Sequence, residues 1–347
     1  MTRITYEQNV DNVQYDQKRS IILEGGKKGK EPVLPEESEY SDIETSDDFE
    51  EEEENENSPT FFMQEFDKKN MDNIKFVPKV AEFIVSNLMK EEQEYSIDVS
   101  NFDKVQTKVT KNMRKIVVKW LINLHRELRT KSSTLYNCVY YFDSVLSKHD
   151  IAKDKLQLLG AICLWEASKL EEFRVFSYKE ISYYCNENYT IEDFEEYERL
   201  IIATMNFKME YPNQKQFLKR FLSGINPSRE LTEVCLFLCE CSLLDYEYHR
   251  FLSSKIAFTI VLIGSFALNM TISLPILMSY AHMPDLDDLL ACSNCIIESA
   301  KEVLESKKGS IYQKFTSSDK TGVVLKLEFG ENVYKNIKFL DNVSKKH

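Results

Sequence analysis

Two charged side chains interrupt apolar helical faces, and they are the most informative residues in this sequence. Lys169 continues one line of apolar residues at helical spacing, and Glu198 falls inside a second. Because lines with this spacing face packed surface, an ionised side chain there is costly unless a partner neutralises it. Lys169 and Glu198 therefore either pair with each other inside the fold or face a partner protein. The two apolar lines are Leu158, Ile162 and Trp165, and Phe194, Tyr197, Ile201 and Met205.

The sequence lacks the residue patterns of common catalytic and metal sites. It contains nine Gly with no phosphate-binding loop among them, and five ungrouped His with no His-Glu-x-x-His pattern. Cys292 and Cys295 have the spacing of a metal-binding pair, but the sequence has no second pair at zinc-finger spacing. We therefore interpret both as core residues. We therefore expect no enzymatic activity, no metal and no cofactor. The eight scattered Cys indicate reduced thiols, as in a protein of the nucleus and cytoplasm.

A second pair of charges is predicted to be structural. At about 100° per residue, Arg114 falls in an apolar sector of its helix, so it should be buried and needs a carboxylate. The following helix supplies Asp143 between apolar neighbours. We predict a buried ion pair between Arg114 and Asp143 that joins these two helices.

The same helix carries a second apolar sector, formed by Met113, Ile116, Val117 and Trp120. A helix with two apolar faces is either buried on both sides or exposes one of them as a docking surface. From periodicity alone, an ordinary helix–helix contact is the favoured interpretation.

The net charge of −13 belongs to one segment. Residues 36–57 hold thirteen acidic side chains and no Lys or Arg, and without them acidic and basic residues balance at 44 each. A neutral body gives no support for nucleic-acid binding, which needs a basic footprint. No apolar run approaches the roughly 20 residues of a membrane span. We predict a disordered acidic tail over residues 1–72.

From about residue 74 the apolar pattern is helical almost throughout. A short amphipathic helix near 76–92 precedes a loop carrying Phe102 and Gln106. Two groups of five helical segments follow, similar in length and separated by Pro212, which suggests a duplicated all-α unit. The predicted divisions are 1–72 tail, 73–111 N-terminal helix and linker, 112–208 first five-helix domain, 209–309 second domain and 310–347 C-terminal tail.

Several motifs, taken together, resemble the cyclin family, and in particular its A- and B-type mitotic members. The resemblance covers residues from about 75 to 325 and implies two tandem five-helix cyclin boxes. It is carried by MRKIVVKWL at 113–121, KLQLLG at 155–160, ASKLEE at 167–172, the segment 231–245 ending in LLD, and YQKFTSS at 312–318.

The resemblance assigns roles that the spacing alone leaves open. Lys169 and Glu198 match the pair with which cyclins grip the activating helix of a cyclin-dependent protein kinase, and Glu171 and Glu172 belong to the same motif. The expected function is a regulatory subunit that activates such a kinase in G2/M control. The family's patch for Arg-x-Leu motifs of substrates or inhibitors corresponds to Met113, Ile116, Val117, Trp120, Leu156 and Gln157.

This sequence departs from the family pattern beside that patch. Lys119 replaces the usual Asp, and Asn123 replaces an acidic residue or Gln, which weakens the case for a basic peptide. A transcriptional cyclin, a cyclin-fold transcription-initiation factor and a helical scaffold without a kinase remain alternatives. The initiation factor would be expected to carry a zinc ribbon and a basic face, whereas a scaffold predicts that Lys169 and Glu198 satisfy each other.

Overall fold

The computed structural model describes residues 65–69, 80–185, 189–282 and 286–344, all within one unit that begins at Phe62. Every regular element in these ranges is helical. The acidic run at 36–57 and most of the predicted tail lie outside the described residues. Three helices precede the two five-helix groups: α1 (Glu65–Lys69), α2 (Ala81–Glu91) and α3 (Ser100–Val105).

The first group is built around a central helix that is buried on almost every side. The helix α5 (Ser132–Leu146) supplies this centre, and α6 (Leu156–Glu171) packs along it. Side-chain caps fix three of the helix starts: Thr110 accepts from the amide of Met113, and Ser177 and Thr190 form capping boxes with Glu180 and Asp193. The helices are α4 (Lys111–Leu128), α5 (Ser132–Leu146), α6 (Leu156–Glu171), α7 (Tyr178–Tyr184) and α8 (Ile191–Thr204).

The second group repeats this arrangement around α11 (Ser253–Ala267), which is buried along most of its length and packs against α9 (Gln214–Ile225) and α10 (Arg229–Ser242). Asn213 directly follows the helix-breaking Pro212 and caps the first helix through a box with Gln216. The all-α fold with two tandem domains is therefore confirmed. Its helices are α9 (Gln214–Ile225), α10 (Arg229–Ser242), α11 (Ser253–Ala267), α12 (Leu274–Ala281) and α13 (Leu289–Ser306).

The segment before the first group is tied to both groups by polar side chains. The carboxylate of Glu92 accepts from the backbone N and the hydroxyl of Ser254, at 2.9 and 2.6 Å, at the start of α11. Burial raises the pKa of Glu92. Gln106 donates to the carbonyls of Leu146 and His149 at 2.6 Å each. Phe102, expected in a loop, lies on α3, whose six residues are too few to show a helical period.

Two stretches predicted as tails contain helices that pack on the second group. Within residues 1–72, α1 places Asp67 against Arg220 of α9 with two bonds of 2.7 and 2.6 Å, and Asp67 is fully buried. After residue 309 follow α14 (Ser310–Phe315), a 3₁₀ turn at 323–326 and α15 (Glu331–Ser344), which packs on α11 and α13. Short helices draw their stability from such tertiary contacts, which the sequence does not reveal.

The cysteine side chains are reduced, and all but one are buried in the helical core. Cys292 is buried, whereas the partly exposed thiol of Cys295 contacts the Asp245 carboxylate at 3.4 Å. Within the described ranges no three His, Cys, Asp or Glu side chains are grouped as a metal would require. In the same ranges no helix is both long and apolar enough to cross a membrane.

Candidate functional site

A buried ionic network fixes α4 between the two helical groups. Arg114 and Asp143 form a two-pronged ion pair with distances of 2.9 and 2.6 Å, and both side chains have 0% exposure. The remaining guanidinium nitrogen donates to the carbonyls of Leu243 and Leu244, just beyond α10. His249 contributes a third bond to Asp143 at 2.8 Å. The pair expected to join two helices therefore also joins the two groups.

The surroundings of this network favour an ionised Asp143 and a neutral His249. Burial alone would raise the pKa of Asp143, but Arg114 and His249 outweigh it, and the pKa is lowered. Burial lowers the pKa of His249 despite the neighbouring carboxylate, so the imidazole is neutral. Because ionised Asp143 can only accept, His249 carries its proton on Nε2 and donates it.

Lys169 and Glu198 lie beside each other at the surface. The Lys169 ammonium bonds the Glu198 carboxylate, joining the end of α6 to α8. The side chains are 30% and 28% exposed, so the pair is accessible from outside. Lys169 also lies over the Trp165 ring, 3.9 Å from its centroid, in a cation–π contact. The two charges therefore pair with each other, as the first alternative expected. Their role in contacting a partner protein stays a prediction.

A third charged residue, Glu166, completes the cluster and was not foreseen. It contacts Lys169 at 2.5 Å and is almost entirely buried. Burial and the neighbouring Glu198 raise the pKa of Glu166 despite the contact with Lys169. Burial by itself would lower the pKa of Lys169, but bonds to Glu166 and Glu198 outweigh it, and the pKa is raised. Its position three residues before Lys169 was the available sequence signal.

Exposed apolar side chains follow Lys169 in the last turn of α6 and on the chain after it. Leu170 and Val175 are about half exposed, and Phe173 is fully exposed. Exposed apolar residues next to an accessible ion pair are typical of a protein-binding surface.

The second predicted surface, on α4, is divided between exposed and buried residues. Met113, Ile116 and Trp120 are partly exposed. Val117 and Leu156 are fully buried and Gln157 is 9% exposed, so these three do not form part of the exposed surface. Gly160 permits the close approach of α4 and α6 here, since a Cβ atom at this position would lie 2.9 Å from Val117 Cγ1.

Comparison with known families decides what these helices are. Residues 83–210 match the family described as "Cyclin, N-terminal domain", and residues 212–328 match "Cyclin, C-terminal domain". The chain belongs to the cyclin family.

The cyclin's relatives include A-type and B-type members. It is 27% identical to Cyclin-B2-2 of Arabidopsis thaliana over 90% of this chain and 70% of that protein. It is 30% identical to the G2/mitotic-specific cyclin-A of Hydra viridissima over 74% of this chain and 61% of that protein. It is 31% identical to Cyclin-B2-1 of Arabidopsis thaliana, of which it spans 52%.

A solved structure shows the same fold at low sequence identity. A viral cyclin from herpesvirus saimiri superimposes with a TM-score of 0.56 at 18% identity, covering 65% of this chain and all of that one.

Glu171 and Glu172, assigned to kinase binding by resemblance, already have partners within this cyclin. Glu171 accepts from Ser133 and Asn137 at 2.6 and 3.0 Å. Glu172 accepts from the backbone N of Lys131 at 2.6 Å and from the hydroxyl of Thr134. Both carboxylates therefore sit at the N-terminus of α5, where negative charge is favoured. Their kinase-binding role stays a prediction.

Proposed function

We propose that this cyclin is the regulatory subunit of a cyclin-dependent Ser/Thr kinase and that it acts in G2/M control. The accessible Lys169–Glu198 pair, bordered by exposed apolar side chains, is the observation that carries the proposal. The resemblance to A- and B-type cyclins supports it independently.

The geometry suggests how the pair would grip a kinase helix. Lys169 can donate to carbonyls at the C-terminal end of a helix, and Glu198 can accept from backbone N–H groups. Because both bonds go to backbone, the grip tolerates changes in the partner's sequence. Glu166 remains beside Lys169 when Glu198 turns toward the partner, so the ammonium keeps a counter-charge throughout.

Activation would follow from positioning the kinase's own catalytic groups. Docking on this surface pushes the kinase helix inward, assembles its Lys–Glu pair and orders its activation loop. The cyclin contributes no catalytic atom in this scheme. We further propose that it works in the nucleus and cytoplasm, where its reduced thiols are stable.

A substrate-docking role for the α4 surface is a separate part of the proposal. Met113, Ile116 and Trp120 offer a partly exposed apolar surface for Arg-x-Leu motifs of substrates or inhibitors. The cationic Lys119 beside it pairs with Glu302 of α13 at 2.7 Å, so no free carboxylate is offered by that pair. Trp120→Ala should weaken binding of an Arg-x-Leu peptide while kinase activity on a generic substrate is unchanged. Equal peptide affinity for both proteins would refute docking at Trp120.

The direct test of the main proposal is to purify the tagged full chain from its native cells and identify bound proteins by mass spectrometry. A cyclin-dependent kinase in stoichiometric amount supports the proposal. Recovery of the chain alone, or with proteins of another class, contradicts it.

A further inference from the structure

A cavity of about 160 Å³ opens at the C-terminal end of α4, where this helix meets α10 and α14. Three of its lining residues are cations, Arg126, Arg129 and Lys314, and one is an acid, Glu240. A water molecule takes up about 30 Å³ in the liquid, so the cavity could hold about five waters or an oxyanion with part of its hydration.

The only acid on the cavity wall is already neutralised. The Lys314 ammonium bonds the Glu240 carboxylate, which is 5% exposed. Arg126 has a single bond of 3.3 Å, to the side chain of Gln313. The Arg129 side chain has no hydrogen bond or ion pair with any residue the structure describes. The cavity wall therefore has a net positive charge, with three cations and one carboxylate.

A further cation, Lys215, lies close enough to His125 and Lys314 to affect their electrostatics. The Lys215 side chain, at the start of α9, is half-buried, and its ammonium makes no bond with a described residue. Burial lowers the pKa of Lys215, and the charge of Lys314 adds to this effect, although Cys239 and the Glu240 carboxylate act in the opposite direction. A half-buried ammonium with no counter-ion is costly, and an anion would relieve that cost.

His125, which precedes Arg126 on α4, also lines the cavity and is affected by the same positive charges. Burial, followed by the charges of Lys314 and Lys215, lowers its pKa to about 4. Nδ1 of the neutral ring contacts the Thr130 hydroxyl at 2.6 Å, and both residues line the cavity. The C-terminal end of α4 and the start of α9 thus bring cations close to the Lys314–Glu240 pair.

We propose that this cavity binds a phosphoryl group carried by a partner peptide. Three cations, Arg126, Arg129 and Lys314, line the cavity with one carboxylate, and Lys215 adds a further positive charge nearby. This surplus suits a group with a charge near −2 better than a single carboxylate. The two guanidinium groups can donate paired bonds to phosphate oxygens. The consequence rests on the proposed function: a protein phosphorylated once would be held beside the kinase for further phosphorylation.

The test uses the free full chain, so that it can be read whether or not a kinase binds. The probe is a fluorescent pool of peptides with one central phosphoserine between random residues, and its unphosphorylated counterpart is the reference. Fluorescence anisotropy gives the affinity. We expect binding of the phosphorylated pool only, weakened at least about tenfold by Lys215→Met and by Arg129→Gln, since each removes a charged contact.

Two controls localise the binding. Lys338→Met removes an exposed charge on α15, away from the cavity, and should leave the affinity unchanged. Addition of phosphopeptide should shift the NMR resonances of the His125 ring, and inorganic phosphate should compete with the peptide.

Three results would overturn the proposal. These are equal binding of both peptide pools, unchanged affinity in both cavity variants, and binding of inorganic phosphate without any preference for the phosphorylated peptide. Because Arg129 is exposed, its variant keeps the test valid even if Lys215→Met fails to fold.

Discussion

Replacing Arg114 should destabilise the protein by removing the hydrogen bonds that join the two cyclin boxes. Arg114→Ala leaves Asp143 buried with His249 as its only remaining partner and strips donors from the carbonyls of Leu243 and Leu244. Removing one member of a buried ion pair typically costs about 3–5 kcal/mol. For a body of this size each kcal/mol lowers the melting midpoint by about 2–4 °C, so a fall of about 6–20 °C is expected.

Circular-dichroism melts of the free chain measure this fall, and calorimetry shows whether the two boxes then unfold separately. The matched control is Arg199→Ala, because Arg199 is 70% exposed and its pair with Glu195 spans 3.5 Å; such pairs contribute about 0–1 kcal/mol. A double variant, Arg114→Met with Asp143→Leu, should be more stable than Arg114→Ala, because no buried charge is left unpaired. A midpoint for Arg114→Ala equal to that of the Arg199 control would refute this reasoning.

Two further outcomes are expected for the free chain. The pKa of His125 is about 4 when folded and near 6.5 when unfolded, so stability is lost as the pH falls from 6.5 toward 4, by at most about 3 kcal/mol. In His125→Gln, the free energy of unfolding measured in urea should fall less between pH 7 and pH 5 than in the wild type. An equal fall in both proteins would contradict this prediction. A chain beginning at residue 73 should activate the kinase normally but melt lower than one beginning at residue 62, because Arg220 loses Asp67; equal melting points would mean that the contact contributes nothing.

The helices of both boxes could be predicted from the sequence because their apolar residues recur at a clear helical period. The buried Arg114 could be placed for the same reason: it sits within an apolar sector, and Asp143 was the carboxylate available on the next helix. Its bonds to Leu243 and Leu244 could not be foreseen, since they depend on how two domains pack across 129 and 130 residues of sequence.

Only part of the candidate site could be predicted from the sequence, because periodicity alone does not define side-chain contacts. Periodicity identified Lys169 and Glu198 as charged residues on apolar helical faces. It could not show whether they pair with each other or face a partner protein. Glu166 was missed because it breaks no apolar line, although its burial makes it the most constrained member of the cluster. On α4, periodicity grouped Val117 with Met113 and could not show that α6 would cover only one of them.

The central claim is that Lys169 and Glu198 form the kinase interface, and the double change to Ala tests it most directly. Each charged bond to backbone contributes about 1.5–3 kcal/mol, or roughly ten- to a hundredfold or more in affinity. In the free chain the pair is partly exposed and should contribute only about 0–1 kcal/mol to stability. Lys169→Ala alone should destabilise more than Glu198→Ala, because it leaves buried Glu166 without its cation.

The measurement is the affinity for a cyclin-dependent kinase, by calorimetry, of the wild type, both single variants and the double variant, with a thermal melt of each. The control replaces Glu331 and Lys335, an exposed pair on α15 at 2.6 Å. We predict that the folded double variant loses nearly all kinase binding while the control keeps it. A folded double variant that still binds and activates the kinase would contradict the account.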